Sequence, residues 1–166
     1  NTVPPTPGTV FPNNKVYGYF VMPGASPYDD DQSCGPSSTS YHGTHTSGTV
    51  AGDSGTTATP TAGNWNTGDG MAPNAQLLFQ DIGDDATGCL SGVGGKLMWE
   101  QAQTAGAYIS SNSYGSDNSG AYSAGDYEVD DTTFDNEQFL LVFSAGNDGP
   151  GAGTIGHPGH AKNALT

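Results

Sequence analysis

Two runs of this chain, residues 75–82 (AQLLFQDI) and 139–145 (FLLVFSA), are largely apolar and hold unbroken apolar stretches at 77–79 and 139–143. A strand wetted on one face alternates apolar and polar residues, whereas one that is apolar throughout has to be covered on both faces. Such strands belong to parallel sheets held between layers of helix. Other segments fit that plan. Residues 15–22 (KVYGYFVM) are rich in β-branched and aromatic residues and read as a strand. Residues 107–111 read as a short strand, and 163–166 as the start of another. Residues 42–51 (HGTHTSGTVA) read as a short helix entered through Ser40. In residues 93–105, Val93, Leu97, Met98 and Ala102 stand at helical spacing, and Gly106 supplies a stop. The acidic segment 122–134 reads as a further helix. The expected fold is therefore α/β, with functional residues gathered at the carboxyl ends of the strands.

Length and composition narrow this further. A chain of 166 residues accommodates one domain with a real core. Only 33% of residues are hydrophobic, and 26 glycines and 11 prolines imply abundant loops. Residues 1–14, 23–40, 53–69 and 83–92 read as such loops. Against 17 acidic residues stand three cations, Lys15, Lys96 and Lys162, for a net charge of −14. That balance argues against nucleic acid or an anionic membrane as partner. It suits a well-solvated extracellular surface. No apolar run approaches the length of a membrane span. The start at Asn1 without Met and the stop at Thr166 after an apolar segment are expected to be cut ends.

Two local patterns carry chemistry. In His42-Gly43-Thr44-His45-Thr46-Ser47-Gly48-Thr49-Val50-Ala51-Gly52 a histidine opens the helix. A helix start fixes its backbone, so one ring nitrogen can face a nucleophile and the other an orienting carboxylate. No Glu follows His42, so the zinc pattern His-Glu-x-x-His is absent and no metal ligands are assigned. In Phe143-Ser144-Ala145-Gly146-Asn147-Asp148-Gly149-Pro150 an apolar strand ends in Gly-Asn. There Gly146 lets a ligand approach the backbone and Asn147 offers an amide donor. Either pattern alone has a bland reading, a structural histidine or an ordinary asparagine turn.

Together they resemble the subtilases, the subtilisin-like serine proteases of peptidase family S8. The eleven residues from His42 are similar to the subtilase histidine motif, in general form HGTHVAGTIAG, with His45 as a buried structural residue of it. The segment at Asn147 resembles the oxyanion segment, where losing one donor costs about 3–4 kcal/mol of transition-state stabilisation. In subtilisin that asparagine follows the histidine by roughly 90 residues. Here the interval is 105, which an insertion in 53–69 would explain. Gly70-Met71-Ala72-Pro73-Asn74-Ala75 resembles the turn into a core strand. Asn112-Ser113-Tyr114-Gly115 resembles the segment forming one wall of the primary specificity pocket, with Ala145 and Gly146 beside it. Residues 88–92 (Gly88, Cys89, Leu90, Ser91, Gly92) fall where subtilases pair an edge strand with extended substrate. The likeness covers residues 40–166. The phrases APNAQLLFQDIGD and PGHAKNAL bring it closest to the KP-43-like alkaline proteases.

The resemblance implies a three-layer sandwich with a mainly parallel sheet and helices on both faces, here a partial catalytic domain over residues 1–166. It implies a secreted endopeptidase in which His42 is the general base and Asn147 the oxyanion donor. The aspartate motif, D-[ST]-G, is expected roughly 30 residues before the histidine. That window holds Val10-Phe11-Pro12-Asn13, and Asp29, Asp30 and Asp31 lack the motif and read as solvated loop acids. No Gly-Thr-Ser occurs, so the nucleophile is expected beyond Thr166. The partners implied are a polypeptide substrate and the rest of the catalytic domain, with this chain alone inactive. The alternative is a non-catalytic relative, a binding or scaffold module that kept the fold. Cys34 and Cys89 fit one disulfide or two free thiols, and a secreted setting favours the disulfide. No cofactor is required; calcium is common in the family, but no ligands can be named.

Overall fold

The computed structural model describes residues 6–28, 41–55, 66, 68–91 and 95–166. They are α/β and form two compact units, Asn1–Gly92 and Val93–Thr166. In the first unit β1 (Thr9–Val10), β2 (Val16–Val21) and β3 (Leu77–Asp81) form one sheet in that order. β2 and β3 run parallel, with Tyr19 opposite Phe79 and Val21 opposite Asp81. β2 is rich in β-branched and aromatic residues, and β3 brings the apolar run Leu77-Leu78-Phe79 beside it.

β1 was not expected, since residues 1–14 read as loop. A turn at Pro12–Asn13 brings the chain back, so that Phe11 N–H bonds the Tyr17 carbonyl at 2.6 Å and Gly8 N–H bonds the Tyr19 carbonyl at 2.7 Å. Register decided this, and composition carries no trace of it. Lys15 reaches the carbonyl of Ala75 at 2.6 Å, and Gln76 Nε2 reaches those of Pro12 and Asn14 at 2.7 and 2.8 Å. These contacts tie the start of β3 to the turn before β2.

The helix α1 (His42–Ala51) begins where the sequence placed it. Its N-cap is Tyr41, in the left-handed region at φ 59°, without a side-chain capping bond. Ser40, the expected entry, lies outside the described residues, as do Asp29, Asp30, Asp31, Cys34, Gly92 and Val93. At the other end, helix carbonyls have no partners of their own. The Gly70-Met71-Ala72 turn supplies them: the three N–H groups bond the carbonyls of Gly52, Thr49 and Val50 at 2.8 to 2.9 Å. Gly70 has to be glycine, because a Cβ there would stand 2.5 Å from the Gly48 oxygen. Two expectations of burial fail in this unit. β3 is half-buried at Leu77–Gln80 and buried only at Asp81, since an apolar run shows fitness for cover without supplying the covering layers. His45 is exposed, because one turn of helix sets it on the same side as exposed His42 and α1 buries only Ala51.

In the second unit α2 (Gly95–Thr104) and α3 (Ala124–Asp135) accompany β6 (Ile109–Asn112) and β7 (Leu140–Phe143). β6 and β7 are parallel, with Ile109 opposite Leu140 and Asn112 opposite Phe143. Leu165 bridges Val142 in the same sense, so the expected last strand begins there. α2 buries Met98, Trp99 and Ala102, and Leu97 is 80% exposed, against expectation. The buried stripe turned toward Trp99 because that ring has a place to go, edge-on to Phe143 at 6.0 Å. Gly106, at φ 98°, ends the helix. α3 starts at a capping box in which Ser123 and Asp126 satisfy each other's N–H groups, which have no partner within the helix. The buried strand β7 alternates in fact: Phe139, Leu141 and Phe143 are buried and Leu140 is 40% exposed. Two-fold pleating gives successive side chains to opposite faces, however apolar they are.

Candidate active site

His42 is the first residue of α1 and its side chain is exposed. Its placement is fixed one residue on. Gly43 lies against the ring of Phe79, where a Cβ would come within 3.1 Å of the ring edge. Phe79 packs on Tyr19 with ring centres 6.0 Å apart, and Tyr19 stacks on Tyr28 at 5.3 Å. The Tyr19 hydroxyl donates to the buried Asp81 carboxylate and accepts the Tyr28 N–H at 2.6 Å. Burial pushes the Tyr19 phenol far above the ordinary tyrosine range, and the bond to Asp81 adds to it. The phenol is therefore a stable donor. The first turn of α1 thus rests on an aromatic stack anchored by a hydrogen bond.

Asp81 also accepts the Gly83 N–H at 3.1 Å, at the start of a hairpin. β4 (Gly83–Asp84) and β5 (Cys89–Leu90) pair antiparallel, in a stretch read from its residues as a loop, although the family resemblance set an edge strand at 88–92. Asp84 organises the turn. Its carboxylate accepts the Ala86 N–H and the Thr87 hydroxyl, and its carbonyl accepts the N–H of Gly88, which sits at φ 65°. This is Asx-turn chemistry, which a scan for apolar periodicity does not register. Gly88, Cys89, Leu90 and Ser91 follow one another here, β5 being the last strand of its two-stranded sheet. No free cysteine occurs among the described residues.

In the second unit two strand ends lie side by side. β6 ends in Asn112 and leads to Ser113, Tyr114 and Gly115; β7 ends in Phe143 and leads to Ala145, Gly146 and Asn147. Asn112 joins them. Its side-chain amide donates to the Val142 carbonyl at 3.1 Å, and its oxygen accepts the Tyr114 hydroxyl at 3.0 Å and the Trp99 N–H at 3.4 Å. The Tyr114 ring stands edge-on to Phe143 at 6.2 Å. Burial pushes its phenol well above the tyrosine range too, so it remains a donor.

A third segment closes the group. Gly156 N–H bonds the Ala145 carbonyl at 3.1 Å, and Ser116 and His157 exchange both backbone bonds at 3.0 and 3.1 Å. Gly115 must be glycine for this, since a Cβ would lie 2.7 Å from the His157 oxygen. Gly146 is at φ 95°, a conformation that favours glycine, and Asn147 after it is exposed. An exposed amide beyond a strand end can donate to an incoming carbonyl oxygen.

Each predicted residue among those described therefore has a place. Gly88, Cys89, Leu90 and Ser91 follow Asp81 with His42's helix in the first unit; Ser113, Tyr114, Gly115, Ala145, Gly146 and Asn147 come together in the second. Sequence reasoning assigned no role to Trp99, Tyr19 or Asp81, and named Asn112 only as the first residue of the segment resembling the pocket wall. A detectable signal existed for Asp81, a polar residue in a segment read as a buried strand, while Asn112 follows directly on the short strand read over 107–111. Among the described residues no group of three or more His, Cys, Asp or Glu is arranged to hold a metal ion. No helix among them is long and apolar enough to cross a membrane.

Comparison with known proteins agrees with the motifs. The family model described as the subtilase family, peptidase S8, matches residues 9–166. No curated protein matches the chain.

Proposed function

This chain belongs to the subtilase family of serine peptidases, and from that premise we propose that it supplies the general base, the oxyanion donor and part of the substrate cleft of a secreted endopeptidase. His42 takes the proton from a serine hydroxyl as that oxygen attacks the peptide carbonyl, and returns it to the leaving amine. Asn147 donates to the oxygen that becomes negative in the tetrahedral intermediate. Ser113, Tyr114, Gly115, Ala145 and Gly146 shape the pocket for the substrate side chain, and residues 88–92 pair with its backbone. The serine and the orienting aspartate come from residues outside this sequence, which has no Gly-Thr-Ser. The chemistry needs no cofactor. A Cys34–Cys89 disulfide fastens the substrate edge, a reading supported by Cys89 being no free thiol. The phrases APNAQLLFQDIGD and PGHAKNAL favour the KP-43-like branch.

The observation that supports this most is the position of His42, exposed at the first residue of a helix whose seat on Phe79 is built by glycine. A fluorophosphonate probe applied to the full-length gene product tests it. Covalent labelling of a serine is expected, and His42→Ala should abolish it while circular dichroism stays unchanged. Absence of labelling in folded, full-length wild type would favour the non-catalytic binding or scaffold module instead.

A further inference from the structure

Asn112 is 4% exposed, yet it carries a full amide. Burying an amide without partners is costly, so every hydrogen-bonding group on it needs an explanation. The nitrogen donates to the Val142 carbonyl at 3.1 Å and to Ser110, at 3.2 Å to its carbonyl and 3.1 Å to its hydroxyl. The oxygen accepts from Tyr114, Trp99 and Ser110 at 3.0, 3.4 and 3.3 Å. The backbone carbonyl of the same residue accepts the Ser144 N–H at 3.0 Å. Ser144 lies three positions before Asn147, and Tyr114 two positions after Asn112.

We propose that Asn112 is a positioning residue that sets the pocket wall at Tyr114 and the strand end carrying Asn147 as one piece. The inference rests on the proposed roles of those two segments. Only an amide can do both jobs. An aspartate has the right shape but no donor for Val142, and a leucine has neither donor nor acceptor. With leucine the phenol and the indole N–H lose their acceptor as well, and the wall and the oxyanion segment become free to shift separately. Recognition of the substrate side chain and stabilisation of the oxyanion are thereby coupled through a residue that touches neither.

The test uses the complete protease and peptide substrates with a large apolar or a small residue before the scissile bond. Rates are expressed per active site titrated with a fluorophosphonate, which removes any effect of the folded fraction. Tyr114→Phe cuts only the wall tether. It is expected to raise KM for the large substrate roughly fivefold while kcat stays within about twofold. Asn112→Leu, which removes donor and acceptor together, is expected to do the same and also to lower kcat for both substrates roughly tenfold, short of removing the oxyanion donor itself. A merely structural asparagine predicts fewer titratable sites with unchanged constants, and that result overturns the proposal. So does a fall in kcat with the ratio between substrates unmoved. If Asn112→Leu does not fold, Asn112→Ser replaces it, with the same expectations and the same overturning results. Failure of wild type to titrate at all would instead remove the peptidase reading, and this proposal with it.

Discussion

Asp81 and Asn112 occupy equivalent places in the two compact units. Each is the last residue of a strand paired in parallel, β3 or β6, and each is buried, at 6% and 4% exposure. Each holds the segment that follows it, the hairpin at Gly83 or the turn at Tyr114. They differ in chemistry. Asp81 is held by few donors, the Tyr19 hydroxyl and the Gly83 N–H. Asn112 is a neutral amide that both gives and takes, with Trp99, Tyr114, Ser110 and Val142 around it. A buried carboxylate depends heavily on each donor, whereas an amide spreads its requirement over several weaker bonds. The carboxylate should be the more fragile anchor and the amide the more forgiving one.

The largest expected effect breaks the carboxylate anchor. Tyr19→Phe leaves Asp81 with the Gly83 N–H and strips Tyr28 N–H of its acceptor, so urea unfolding should show a loss of about 3 kcal/mol. Adding Asp81→Asn should recover part of that loss; no recovery would mean that the hydroxyl, and not the carboxylate left behind, sets the cost.

Asn112→Leu removes the other anchor at similar volume. It leaves the Tyr114 hydroxyl, the Trp99 N–H and the Val142 carbonyl to find new partners, at an expected cost of about 2 kcal/mol. Trp99 reports on this directly by fluorescence. A loss larger than that of Tyr19→Phe would reverse the ranking of the two anchors.

The smallest effect is a pH dependence that both anchors share. Both phenols are held above their unfolded value, by burial and, at Tyr19, by Asp81. The folded state keeps protons that the unfolded chain gives up near pH 10. Their contribution is therefore complete below about pH 10 and lost as pH rises toward the folded values. Stability should fall above that pH, and Tyr19→Phe and Tyr114→Phe should each flatten the fall. Tyr122, pushed up to about 12 by its bond to Asp130, adds to the same limb. The acid side has a separate origin. Burial alone would raise the Asp130 carboxyl, but the Tyr122 hydroxyl, the Asn163 N–H and the Lys162 ammonium outweigh it and lower it.

Much of the secondary structure was legible beforehand, for local reasons. α1 begins at His42, β2 falls within KVYGYFVM, and Gly106 stops α2 as its conformational freedom suggests. Burial was less legible. His45 was expected inside and is exposed, and Trp99 took the buried place expected of Leu97. Helical spacing defines a stripe, but a partner decides where its centre lies, and here that partner is Phe143, forty-four positions away.

By itself, then, the sequence determined the family, the two motifs and most of the elements that carry them, because each depends on residues within a dozen positions of one another. Tertiary structure decided which polar groups hold those motifs in place. Tyr19 meets Asp81 across 62 positions, and Asn112 meets Val142 across 30. A hydrogen bond needs its partners within about 3 Å and aligned. Which distant donors and acceptors satisfy that is fixed by parallel pairing and register, and no local pattern of residues records either.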